Sequence, residues 1–316
     1  MNVSFTTSLF RTKKANPRSV TDLQPAMAQL SGFHAIRVSG EDAAEFLQSQ
    51  FTNQMANMSV GDCQLTGYCN PKGRALAVMW LLKTSSEYIL LLPEDLAETL
   101  SKRLMMFKMR AKVDIKPDAC HQIFGVIDPS GKHLSLKDSC EIWPIDAKRA
   151  FASSVAGSGE MNPNENTVQV FDHDYWKLAQ ILAGEPMIYT STYEALIPQH
   201  MNLDLVNGVS FTKGCYPGQE IVARLRYLGK LKQRMITGYC ESQAEIGPGT
   251  PVFTKEKGDQ KAGIVVDAVK LGDQTAVSVN IPATHIENGN IAIGSTTGTP
   301  LDRIQAPYPI TLEKNA

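Results

Sequence analysis

Apolar and polar positions along this chain switch between a spacing near two and a spacing near 3.6, which predicts a mixed α+β protein. Phe33-His34-Ala35-Ile36-Arg37-Val38 alternates as a strand does. Glu41 to Gln50 follows with Ala44, Phe46, Leu47 and then Phe51 around one side, predicting a helix. Ala75 to Leu82 and Tyr88 to Leu92 are unbroken apolar runs, predicting two buried strands joined by a polar turn from Lys83 to Glu87. Leu96 to Met109 has helical spacing, with basic residues expected in its last turn. Met105, Met106 and Met109 beside Phe107 read first as a core stripe and second as a flexible contact face. From Ser153 to Thr167 the chain turns to Ser, Gly, Asn and Pro, marking a loop or boundary. Trp176 to Ala183 predicts another helix, with Gly184 in the position of a C-cap. Past Leu228 the pattern shortens: Met235 to Cys240, Gly263 to Val269, Ala276 to Ile281 and Ile291 to Gly294 alternate with turn residues. That predicts a small antiparallel barrel or sandwich.

Composition narrows the class. A chain of 316 residues exceeds one core, so two or three domains are expected. Lys+Arg 31 against Asp+Glu 32 leaves a net charge of -1, which removes a global basic field for nucleic acid. Cys63, Cys69, Cys120, Cys140, Cys215 and Cys240 form no C-x-x-C pair, so they read as reduced thiols. The six histidines are scattered without an H-x-x-x-H pair, so no metal site is expected. No glycine-rich phosphate loop is present, and no apolar run approaches a membrane-spanning length. Arg11, Lys13, Lys14 and Arg18 give the first twenty residues a basic, acid-free start that would suit a transit peptide. Asn16-Pro17 and the missing amphipathic period favour a flexible tail over 1–20 and a cytoplasmic protein.

The densest chemistry lies in Lys213-Gly214-Cys215-Tyr216-Pro217-Gly218-Gln219-Glu220. Pro217 and Gly218 suit the second and third positions of a type II turn, and Glu220 to Leu225 reads as a short helix. A cysteine just before a helix, with Lys213 beside it, has the setting that favours a thiolate. The same residue also reads as a small buried hydrophobe at a strand end. From Lys213 to Arg234, six basic residues (Lys213, Arg224, Arg226, Lys230, Lys232, Arg234) face the single acid Glu220. Such a cluster suits a polyglutamate tail, a phosphate backbone or an acidic protein face, and Tyr216 and Tyr227 suit stacking on a base or a pterin.

The octapeptide resembles the signature of the YgfZ family, folate-binding, tRNA-modifying relatives of the glycine-cleavage aminomethyltransferase. Ile197-Pro198-Gln199, Asn202-Leu203-Asp204 and Gly208-Val209-Ser210-Phe211 resemble the lead-in to that signature. Ile36-Arg37-Val38-Ser39-Gly40, Phe46-Leu47-Gln48-Ser49-Gln50 and Cys69-Asn70-Pro71-Lys72-Gly73-Arg74 resemble the family's opening elements and second turn. The resemblance runs from about residue 30 to the end. It implies an α+β, aminomethyltransferase-like fold: two intertwined α+β domains within 21–228 and a C-terminal antiparallel β-barrel over 229–316, around a central hole.

The same resemblance implies tetrahydrofolate or a derivative as cofactor, with Cys215 as the functional thiol and Lys213 beside it. Tyr216, Gln219, Glu220 and Arg224 would border the ligand, and Trp176 aligns with a tryptophan of the folate pocket. Phe33 aligns with a second pocket tryptophan; the change keeps an aromatic face and loses the indole N–H. Read alone, a Trp opening a helix is more often core. The implied function is support of iron–sulfur enzymes, such as those that thiomethylate tRNA, with only an indirect link to tRNA. One alternative is a one-carbon transferase of the aminomethyltransferase or demethylase kind. Such enzymes look to need an aspartate after the Gly73 turn, where this chain reads Arg74-Ala75-Leu76-Ala77-Val78. A direct tRNA-binding module built on the Lys213–Arg234 segment is the other alternative.

Overall fold

The computed structural model describes residues 16–117, 122–128, 130, 140–154, 169–229, 231–242, 244–287, 290–304 and 306–310. Cys120, Lys230 and most of the basic start lie outside the described residues. In chain order the elements are β1 (Ala26–Gln29), β2 (Phe33–Ser39), α1 (Ala43–Gln50), β3 (Cys63–Cys69), β4 (Ala75–Lys83), β5 (Glu87–Pro93) and α2 (Glu94–Phe107). Next come β6 (Asp114–Pro117), β7 (Ile123–Ile127), β8 (Cys140–Pro144), β9 (Arg149–Ser154), β10 (Gln169–Phe171), α3 (His173–Leu182) and α4 (Gln219–Tyr227). The chain closes with β11 (Gln233–Glu241), β12 (Pro251–Thr254), β13 (Gly263–Leu271), β14 (Gln274–Pro282), β15 (Ile291–Ile293), β16 (Thr299–Pro300) and β17 (Asp302–Ile304).

These elements form two compact units, each assembled from separate stretches of chain. The first takes Met1–Ala43, Asn57–Gln64 and Trp80–Ala179. Its sheet β10-β1-β7-β9-β8 pairs β1 parallel to β10 and antiparallel to β7, around Met27, Phe124, Val126, Ala150 and Ala152. Strands β5, β2 and β6 continue a second sheet, ordered β3-β4-β5-β2-β6. Every residue of β5 is buried, which is why Tyr88 to Leu92 reads as a continuous apolar run rather than an alternating one, while Glu87 at its start pairs with Arg37 at 2.6 Å.

The second unit takes Ala44–Ala56, Leu65–Met79 and Gln180–Ala316. Its seven-stranded antiparallel, barrel-like sheet runs β16-β15-β12-β13-β14-β11-β17. Val252, Val265, Val277, Val279 and Ile281 fill its core, and β13 slips register between Val265 and Asp267. The α+β character and the C-terminal sheet agree with the pattern read from the sequence.

Four local readings change. Helix α2 ends at Phe107 with no basic residue in its last turn; Lys108 follows as the C-cap, and its Nζ donates to the carbonyl of Val113 at 2.8 Å. The methionines beside Phe107 are exposed rather than core, because α2 buries Leu96, Ala97, Leu100 and Leu104 instead. The Ser153–Thr167 stretch begins inside β9, and 155–168 lies outside the described residues. Helix α3 starts three residues before Trp176, and Gly184 ends it in the left-handed region at φ 67°. Among the described residues, no helix is long and apolar enough to cross a membrane.

Candidate functional site

The eight candidate residues fall into two groups. Phe33 and Trp176 belong to the first unit; Lys213, Cys215, Tyr216, Gln219, Glu220 and Arg224 belong to the second.

In the second unit the octapeptide forms the expected turn. Gly218 has φ 82° and ψ 1°, and the amide of Gln219 donates to the carbonyl of Tyr216 at 3.2 Å, closing a type II turn. Gly218 is also the N-cap of α4, so turn and helix start share one residue. A Cβ on Gly218 would stand 2.4 Å from the carbonyl oxygen of Asn70 and 2.7 Å from Cα of Gly73. Gly73 is itself left-handed at φ 70°, and a Cβ there would meet Ile221 at 2.9 Å. The two turns that carry the family resemblance therefore pack backbone against backbone. Asn70 shapes the earlier one: its Oδ1 accepts from the amides of Lys72 and Arg74, and its Nδ2 donates to Glu194 Oε1 at 3.0 Å. Asn-Pro-Lys-Gly is a turn signal in any sequence, but only the fold shows what the turn supports.

Cys215 is exposed at the head of this turn, so the reading of it as a buried hydrophobe does not hold. Lys213, two residues away, points elsewhere. It is 7% exposed, and its Nζ donates to the carbonyls of Gln48, Phe51 and Asn53. All three ammonium hydrogens are thereby used. Two of these acceptors lie at the C-terminal end of α1, where the helix leaves carbonyls unpaired and carries partial negative charge. Burial lowers the Lys213 pKa to about 8, which still leaves it mostly charged at neutral pH. Tyr216 is buried with its ring 5.2 Å from that ammonium, and burial raises its phenol pKa. Gln219 reaches back to the carbonyl of Lys213 at 3.4 Å, while Glu220 and Arg224 are exposed on α4.

The basic tally of the sequence shrinks in the fold. Arg234 is buried against Asp204 at 2.7 Å, Lys213 caps α1, and Lys230 lies outside the described residues. Arg224, Arg226 and Lys232 remain exposed, with Arg226 over the Phe211 ring at 5.2 Å and Tyr227 66% exposed.

In the first unit Phe33 opens β2 and meets the His173 ring edge-on at 4.8 Å. Phe33 also lines a cavity of about 180 Å³ together with Gln29, Ser31, His34 and Gln122. Trp176 is fully buried: Gly125 leaves room for its indole, which a Cβ at 125 would approach within 2.1 Å, and Phe151 packs 5.0 Å away. The Nε1 of Trp176 and the Nδ1 of His173 are buried without a hydrogen-bond partner in the protein. Unpaired buried polar atoms are costly. His173, Gln29 and Gln122 carried no signal in the sequence, since each is brought to Phe33 only by packing.

Two half-buried histidines make stability pH-dependent. Burial, and then Lys177, hold His173 at a pKa of about 4; burial, and then Arg74 and Arg234, do the same for His200. Both stay neutral when folded, whereas the unfolded chain protonates them near 6.5. Stability is expected to fall as pH drops from 6.5 toward 4, by about 2–3 kcal/mol per histidine. Urea midpoints across that range, with His173→Gln showing a shallower loss than the natural chain, test this.

With this geometry in place, comparison with known proteins defines the class. Residues 7–121 match the GCVT N-terminal domain. The glycine cleavage system aminomethyltransferase T from Bartonella henselae shares the fold, with a TM-score of 0.66 at 13% identity over 91% of this chain and 87% of that one. The protein thus has an aminomethyltransferase-like fold. Over 287 residues it is 32% identical to an uncharacterized protein of Haemophilus influenzae, covering 89% of this chain and 98% of that protein. Over 311 residues it is 29% identical to the tRNA-modifying protein YgfZ of Colwellia psychrerythraea, covering 91% and 94%. The chain belongs to the YgfZ family.

Proposed function

We propose that this protein binds a reduced folate and, through Cys215, supports iron–sulfur enzymes that modify tRNA in the cytoplasm. The observation that carries the reading is the locked pair of turns, which holds an exposed thiol on rigid backbone at the start of α4. The naming of the Colwellia relative as a tRNA-modifying protein supports the tRNA end of it.

The folate end rests on the first unit. Phe33 offers an aromatic face to a cavity whose volume of about 180 Å³ suits the pterin ring rather than the whole cofactor. Gln29 and Gln122 give that cavity amide donors and acceptors for the polar edge of a pterin. In the second unit Arg224 is exposed on α4, where a guanidinium suits a carboxylate, and Tyr216 and Gln219 shape the turn before it. A bound tetrahydrofolate supplies a reduced ring that carries a one-carbon unit. What the chain adds is the placement of that ring and of the Cys215 thiol.

The transferase alternative lacks its acid. Arg74 to Val78 contains no carboxylate, and Arg74 spends its guanidinium on the carbonyl of Ala195 at 2.7 Å. Direct tRNA binding loses two of its six cations to burial.

Cells lacking the endogenous protein and carrying Cys215→Ala should lose tRNA thiomethylation, measured by nucleoside mass spectrometry. The purified variant should keep its thermal midpoint and its tetrahydrofolate binding, because the side chain is exposed. Wild-type thiomethylation in those cells would reject the role of the thiol.

A further inference from the structure

Seven large apolar side chains are exposed among the described residues, and four of them stand together at the end of α2: Met105, Met106, Phe107 and Met109. Met106 is 74% exposed and Met109 85%. The helix already buries its own apolar stripe, Leu96, Ala97, Leu100 and Leu104, so these four lie on the remaining faces. Met109 is also left-handed at φ 43°, a conformation that Gly or Asn adopts more easily. The chain is held there by the amide of Ala111 donating to the carbonyl of Lys108 at 2.7 Å, and by Lys108 Nζ donating to that of Val113. Strain and solvent exposure are thus combined at a residue that contributes nothing to the core.

Charge narrows the occupant. From Lys102 to Lys112 the chain carries Lys102, Arg103, Lys108, Arg110 and Lys112 and no acid. Three of these are engaged within the fold: Lys102 with Glu98 at 2.6 Å, Lys112 with Glu41 at 2.6 Å, and Lys108 with Val113. Arg103 lies over the Phe107 ring at 5.6 Å, and Arg110 is exposed. Lys108 keeps its charge, because its partner is a neutral carbonyl, and Arg110 is exposed, so positive charge stands beside the apolar patch without forming the polycation that a phosphate backbone or an anionic bilayer recruits. Met, aromatic and Arg side chains are the ones enriched at the centres of protein interfaces, and thioethers adapt to a partner's shape.

We propose that the end of α2 docks an acidic amphipathic segment of a partner protein. Its apolar side chains cover Met105, Met106, Phe107 and Met109, and a flanking carboxylate faces Arg110. This surface is independent of folate and of Cys215.

A fluorescein-labelled helical peptide of leucine and glutamate, with leucines at i, i+3, i+4 and i+7, is the probe. Fluorescence anisotropy on the full chain should show binding that weakens at least ~10-fold in Met106→Ser/Met109→Asn and in Arg110→Glu. A leucine–lysine peptide should bind Arg110→Glu better than it binds the natural chain. Thermal midpoints should not fall in any variant, and the variant with Met109→Asn should melt at or above the natural chain, since Asn tolerates the left-handed backbone better. No binding, or binding indifferent to both variants, overturns the proposal. So does preferential binding of oligouridylate or phosphatidylglycerol vesicles, or self-association of the chain that Met106→Ser/Met109→Asn removes.

Discussion

Replacing Gly218 by alanine is expected to cost about 3–5 kcal/mol and to collapse the yield of folded protein. Two costs add. A φ of 82° is unfavourable for any residue with a Cβ. The added methyl group would also stand 2.4 Å from the carbonyl oxygen of Asn70, which is backbone and cannot swing aside. Gly214, four residues earlier, is the control: a Cβ there meets nothing within 4 Å, so Gly214→Ala should melt like the natural chain. Equal midpoints for the two alanine variants would show that the turns do not pack as described.

Lys213→Met is expected to lose about 2–4 kcal/mol, although methionine matches the apolar stem of lysine. The substitution takes the Nζ donor away from the carbonyls of Gln48, Phe51 and Asn53. Relief of the buried charge offsets part of this, since burial already pulls the ammonium's pKa down to about 8. Hydrogen exchange gives the sharper readout: amides in the last turn of α1 should exchange faster in Lys213→Met, while those of β13 and β14 should not. Uniform protection in both regions would mean that Lys213 does not hold α1.

Much of the fold could be read in the sequence because burial writes itself into composition. Strands β4 and β5 are covered on both faces and so run apolar from Ala75 to Leu82 and from Tyr88 to Leu92, and Pro217-Gly218 announces its turn through the φ values the two residues allow. Lys213 could not be read in the same way. Its neighbour in sequence is a thiol, whereas its acceptors lie 160 to 165 positions upstream, so only the tertiary fold decides which it serves. Trp176 was ambiguous for a related reason, because the residue that makes room for it, Gly125, is a glycine in a strand of another element. The methionines of α2 fit a helical period equally well as core or as surface. What decides is which face of the helix its sheet covers, and no local pattern records that.

The second unit is built from pieces made far apart in time. A ribosome finishes Met79 about a hundred residues before it reaches Gln180. At ~5–20 residues per second that is a wait of roughly 5–20 s. During it, α1 lacks the lysine that caps it, and the apolar stretch from Leu65 to Met79 has none of its later partners. The nascent chain must therefore be sheltered or kept dilute in that interval. Conditions that slow elongation between these points should deplete the protein more than conditions that slow it after Tyr308.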